Sequence, residues 1–339
     1  MSVERKWEPR DPKEAFFPVT VHPAFWLDYQ KKHHYIPGQK VLVDAERNRP
    51  LAVVSEGYRV ITNEEAYDMA DVIVRGVFNG HSLGSFQCYN IMMPSTRSYC
   101  RMDFIIPQSS FSAFGSRRES YTPFLRISNS YNRTLVLRYE IGFCRWICLN
   151  GCIFGAKSYT ATFVHSLQKK QRTLDDAIAE ARRTIGSIDA IWTVIEKKLT
   201  TLSQIAVPFE LALPVFCQVF SIPNIDNEEV SWKTAEKYIS RAKLFLTQAK
   251  SYYDEMDPSA YVLFNALTDY ASFPEGQESM SSTLVHGYQR RVGAWADDLV
   301  AAAGQTGFLF GDHVSKEARE SAKALGKFIH KQEPVLVLK

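Results

Sequence analysis

The sequence predicts an α+β fold: a curved antiparallel sheet with a packed helix, followed by a C-terminal helical bundle. Three observations lead there. Between Gly84 and Gly155, apolar and polar residues alternate in runs of strand length separated by turn-forming residues. After Thr160, apolar residues recur at helical spacing over long stretches with short gaps. The 45% hydrophobic and 23% charged fractions of the 339 residues are those of a globular protein rather than a disordered one.

Taken in order, residues 1–50 carry aromatic and proline punctuation: Phe16-Phe17-Pro18, Phe25-Trp26 and Tyr35-Ile36-Pro37-Gly38. They read as a wrapping segment with short strands, closed by Lys40-Val41-Leu42-Val43. His33-His34 follows Lys31 and Lys32, and reads as a solvated pair rather than a metal site. A basic β-rich core, 51–158, opens with a strand at Leu51-Ala52-Val53-Val54. Thr62 or Asn63 then caps a helix, with Glu64 and Glu65 in its first turn favoured by the helix dipole. Ala66, Met69, Ala70, Ile73 and Val77 form its apolar stripe, and Asn79-Gly80 ends it.

Strands are expected at 85–93, 98–106, 124–129 and 134–149. A Ser- and Gly-rich surface loop, 108–122, holds Arg117 and Arg118. Tyr131-Asn132-Arg133 is the turn of a hairpin. In the last strand, Leu135, Leu137, Tyr139 and Ile141 share one face and Arg138 and Glu140 the other. Beyond Gly142 two readings stand. Strict alternation buries Arg145 with Phe143 and Ile147, whereas a bulge at Gly142 returns it to the side of Arg138.

The helical region, 159–339, begins with a helix capped by Thr173, with Asp175 and Asp176 in its first turn and Ile178, Ile185, Ile188, Trp192, Ile195 and Leu199 along its stripe. Further helices fit 231–253, 259–271, 282–303 and 315–330. Short loops between them suggest a bundle packed on the sheet.

Formal net charge is +3, but it is unevenly distributed. Residues 72–172 hold 13 Lys and Arg against Asp103, Glu119 and Glu140, while 1–71 net −2 and 173–339 net −5. The apolar stretch 207–225 carries Glu210 and the prolines Pro208, Pro214 and Pro223, so a spanning helix is not expected. Met1 to Lys6 lead to no apolar signal core. Cys88, Cys100, Cys144, Cys148, Cys152 and Cys217 read as reduced thiols. The spacing of Cys144, Cys148 and Cys152 lacks a second knuckle or His pair that would make a zinc site. No cofactor is expected, because no P-loop, dinucleotide fingerprint, HExxH or GxSxG occurs. The acidic pairs Glu64-Glu65, Asp175-Asp176, Glu228-Glu229 and Asp297-Asp298 are sequence neighbours on helices, so they point apart rather than converging on a metal.

The run from Leu125-Arg126-Ile127-Ser128-Asn129-Ser130-Tyr131 to Arg145-Trp146-Ile147-Cys148-Leu149-Asn150-Gly151 resembles the domain-of-unknown-function family numbered 932. Asn129, Ser130, Arg145, Cys148 and Asn150 occupy its motif positions. The segment Leu263-Phe264-Asn265-Ala266-Leu267-Thr268-Asp269-Tyr270 is similar to the family's Asn-Ala-x-Thr-x-Tyr helix, placing Asn265, Thr268 and Tyr270. Where that family commonly has Asp-Gly in the hairpin turn, Asn132-Arg133 stand here, and Arg tolerates a left-handed conformation poorly. The resemblance implies a phage, prophage or plasmid origin, hence a bacterial cytoplasm, but no activity. Asn265, Thr268 and Asp269 share a helix face. They read as a hydrogen-bonding patch docking that helix onto the sheet, with a polar site as the alternative.

Two functions follow as expectations. The basic middle with its interleaved aromatics suits nucleic acid, single-stranded DNA above all, through Arg97, Arg101, Arg117, Arg118, Arg126, Arg133 and Arg138. The competing explanation is that these arginines pair with carboxylates of the helical half. The other expectation is a counter-defence protein that binds a host defence complex, with 108–122 as a contact element. Either needs no catalytic motif and no membrane, a homo-oligomer is compatible with both, and an enzyme of unrecognised motif is the remaining alternative.

Overall fold

In a computed structural model, the described residues are 8–77, 82–106, 111–115, 120–145, 150–152, 159–163, 188–227, 229–272 and 282–329, with His165, Asp176, Ile178, Ala179 and Arg183 between them. Strands β1 (Val19–Leu27), β2 (His33–Asp44) and β3 (Arg49–Ser55) form an antiparallel three-stranded sheet in that order. The expected wrapping segment is therefore a sheet, and β3 runs across residue 50. Pro23 is accommodated on the edge strand, beside a register shift between Pro23 and Phe25.

The helix α1 (Asn63–Val77) starts on a reciprocal cap. Thr62 Oγ1 accepts from the Glu65 N–H at 3.1 Å, and a Glu65 carboxylate oxygen accepts from the Thr62 N–H at 2.7 Å. It covers one face of a larger antiparallel sheet made of β4 (Gln87–Met92), β5 (Tyr99–Ile105), β7 (Ser120–Ser130), β8 (Leu137–Arg145) and β10 (Tyr159–Phe163), in the order β10-β8-β7-β5-β4. The short β6 (Phe111–Ser112) pairs with β7, and β9 (Asn150–Cys152) with β8.

Alternation assigns the two faces of this sheet. Met102, Phe104, Leu125, Ile127, Tyr139 and Ile141 join Ala66, Ala70, Ile73 and Val74 of α1 in one core. Tyr139 donates to the Ala66 carbonyl at 2.9 Å, tying β8 to that helix. Residues between them carry Arg101, Asp103, Arg126, Ser128, Arg138 and Glu140 to the other face. The β7–β8 register is unbroken from Ser128↔Arg138 to Tyr121↔Arg145. Strict alternation therefore holds through Gly142, without a bulge.

The helical part comprises α2 (Ile188–Gln204), α3 (Ala212–Phe220), α4 (Trp232–Glu255), α5 (Ala260–Ser272), α6 (Ser282–Ala303) and α7 (Lys316–Ile329). α5 is its centre: all thirteen of its residues are buried. Ser231 caps α4 and Ser315 caps α7, as their helix-start chemistry requires. The unexpected α3 ends on Ser221, which adopts the left-handed φ of 53° and returns its N–H to the Cys217 carbonyl at the C-cap. It lies within the apolar stretch 207–225, and among the described residues no helix is long and apolar enough to cross a membrane. Thr173, Asp175 and Ile185 lie outside the described residues.

Candidate nucleic-acid interface

An open face that a nucleic-acid strand can lie along needs exposed side chains, so exposure sorts the seven arginines expected to line one. Arg101 and Arg126 are inside. The Arg126 Nε donates to Asp103 at 2.7 Å, Arg101 Nη2 donates to the same carboxylate at 2.7 Å, and Asn90 adds a third donor at 3.0 Å. Burial alone would push the Asp103 carboxyl up, but the Arg101 and Arg126 guanidiniums hold it down at about 2. Arg126 also bonds Gln289 of α6, which in turn donates to Ser272 at the end of α5. The carboxylate that satisfies these arginines comes from the sheet itself, and the helical half contributes an amide.

Arg97 sits at a left-handed φ of 53°, over the Phe17 ring and paired with Asp44 and Glu46. Arg138 is half-buried. Arg133 is exposed in the hairpin turn at φ 64°, where an Asn132 side-chain oxygen accepts from the Thr134 N–H at 3.2 Å and stabilises the turn. Arg117 and Arg118 lie outside the described residues. The arginines of the basic middle therefore do not line up on one open face among the described residues.

The motif residues have structural work. Asn129 donates to the Ile61 carbonyl and to the Asn63 side chain, fixing the entry to α1. Ser130 Oγ donates to the Leu135 carbonyl at 2.8 Å and accepts from its N–H at 3.0 Å, closing the hairpin. Asn265 and Thr268 bond carbonyls of their own helix, and Tyr252 of α4 reaches Asp269 at 3.4 Å. Through Tyr252 the patch ties α5 to α4, while Tyr261 of α5 bonds Tyr121 of β7 at 2.9 Å. Tyr270 is buried among Phe216, Phe220, Phe245 and Tyr288. Arg145 pairs through its backbone with Tyr121 and Asn150; the side chains of Arg145 and Asn150, and all of Cys148, lie outside the described residues. Cys88, Cys100, Cys144 and Cys217 are buried, and burial raises the Cys88 and Cys217 thiols to about 12.

What is open is the β1–β2 hairpin. Phe25 is 53% exposed, Trp26 52%, Leu27 56% and Tyr29 93%, with Tyr35 and Val53 also on the surface. Strand alternation divides the rings between two faces. Phe25 pairs with Tyr35 across the strands, their centroids 5.8 Å apart, and Trp26 stacks on His34 at 4.7 Å and 22° on the opposite face. The rings are held in place: Tyr35 donates to Glu56 at 3.0 Å, and His34 bonds Asp28 at 2.8 Å. Asp28 also accepts from the Gln30 and Lys32 N–H groups, shaping the tip. Lys31, Lys32 and Arg49 are exposed, while Asp28, Asp44 and Glu46 are all engaged by cationic or imidazole partners. Sequence reading missed this surface, although adjacent Phe25-Trp26 flanked by prolines was a visible signal.

Among the comparisons, the family described as "Domain of unknown function (DUF932)" matches residues 50–280, which include the large sheet, its hairpin motif and α5. Strands β1 and β2 precede the matched residues. No curated protein and no solved structure matches.

Proposed function

The chain belongs to the DUF932 family, whose description assigns no activity, and we propose from its own residues that it is a non-catalytic nucleic-acid-binding protein for single strands, DNA foremost, serving mobile-element DNA metabolism. The carrying observation is the open β1–β2 hairpin with rings on both faces and lysines at its tip. Exposed rings stack on bases of any sequence, and adjacent cations attract the phosphates. Positions locked by Glu56 and by the His34–Asp28 pair lower the ordering cost of binding.

The test is fluorescence anisotropy with a labelled single-stranded oligonucleotide at about 50 mM salt, where counterion release favours binding. Retention that falls as salt rises, and is lost in the Phe25→Ala/Trp26→Ala double variant, supports the reading. The exposed aliphatic residues Val21, Leu27 and Val53 favour a second one. They suit a protein partner, so the chain would be a counter-defence protein docking on a host complex. Salt-insensitive capture of such a complex by wild-type protein that ignores DNA would select it.

A further inference from the structure

The face of the large sheet opposite α1 carries two neighbouring cross-strand rows. One reads Asp103, Arg126, Glu140 and alternates in charge; the other reads Arg101, Ser128, Arg138 and has no carboxylate. Together they set three guanidiniums against two carboxylates. Arg101 is 3% exposed and already gives Nε and Nη2 to Asp103, yet its Nη1 is buried without a hydrogen-bond partner. The Nε of Arg138 is likewise buried and unpartnered. Exposure increases along the row, from Arg101 and Ser128 through half-buried Arg138 to exposed Thr162 on β10, which pairs with Arg138. The row therefore runs from solvent into the sheet face.

A buried guanidinium N–H left unpaired costs stability, and two of them in one row with a hydroxyl between match an acceptor-rich anion. Arginine's planar donor fork fits tetrahedral oxyanions in particular. We propose that the Arg101–Ser128–Arg138 row is an oxyanion subsite for a phosphoryl group. Two sources share that chemistry, the backbone phosphate of a bound strand and a free phosphate. The subsite stands apart from the β1–β2 hairpin and does not depend on it.

The experiment uses the full chain and inorganic phosphate as probe. Melting is followed against phosphate concentration, with chloride at matched ionic strength as reference, for wild type, Arg138→Gln, Arg138→Lys and Ser128→Ala. Phosphate should raise the wild-type melting temperature through preferential binding to the folded state. Apparent affinity should fall by about tenfold or more in Arg138→Gln, with partial rescue in Arg138→Lys. Ser128→Ala, which removes only a hydroxyl, should weaken phosphate binding even if Arg138→Gln melts too early to titrate. Equal stabilisation of wild type, Arg138→Gln and Ser128→Ala would be general salting and would overturn the subsite, as would no stabilisation of wild type. Adding an unlabelled single-stranded oligonucleotide identifies the source. Competition with phosphate assigns the row to the strand backbone, and additive binding assigns it to free phosphate. Loss of oligonucleotide binding in the hairpin variants, with the phosphate effect intact, separates this subsite from the hairpin.

Discussion

Asp103→Asn removes the one carboxylate that both Arg101 and Arg126 grip. Asparagine keeps the shape and a single acceptor but no charge, so two guanidiniums stay inside the protein with Glu140 as the remaining carboxylate of the two rows. Removing one partner of a buried pair costs about 3–5 kcal/mol. For a chain of this size that lowers the urea midpoint by on the order of 1 M. The wild type carries a second signature. Its Asp103 titrates at about 2 when folded against an ordinary 3.8. A depressed folded value means stability that is present above the unfolded value and lost as pH falls from about 5 through about 2, worth about 2 kcal/mol. Urea titrations by tryptophan fluorescence at pH 7 and pH 3 test both. Asp103→Asn should be much weaker than wild type at pH 7, with the gap narrowing at pH 3. A variant within about 1 kcal/mol of wild type at pH 7, or a gap that ignores pH, would refute this account of the cluster.

Trp26→Ala should weaken single-strand binding by about fivefold to a hundredfold, the worth of one base-stacking contact, and leave the melting temperature near wild type. Anisotropy and melting on the same preparation check it. Ser130→Ala leaves the half-buried Leu135 N–H and carbonyl without their partner, so it should cost about 1 kcal/mol in urea titrations while DNA retention by the folded fraction stays unchanged. Thr62→Ala breaks the reciprocal cap of α1 and should cost about 1 kcal/mol. The Glu65→Ala change should then add little in the Thr62→Ala background, because the two act as one unit.

Much of the architecture was readable because local chemistry and tertiary demand agree. Leu137, Tyr139 and Ile141 against Arg138 and Glu140 assigned the faces of β8, and Ser231 and Ser315 marked helix starts that the structure keeps. α3 was hidden: its apolar run between Pro208 and Pro223 has no polar face to reveal a period. The fate of the arginines was hidden for a different reason. A polar residue at every second position of a strand looks the same whether its face meets water or a helix, and Gln289, lying far along the chain, decides the matter for Arg126. Prolines at 23 and 37 obscured β1 and β2, since they demote a strand reading unless the strand is an edge or carries an irregularity.

The three-stranded sheet has its own small core, in which Phe17, Leu42, Leu51 and Val54 meet Tyr58 and Tyr131. Beyond Pro23 almost nothing of the β1–β2 hairpin is enclosed. Its outer residues are thus nearly exempt from the demands of folding. Substitutions at these surface positions therefore change what the hairpin presents to solvent while the sheet and bundle behind them stay as they are.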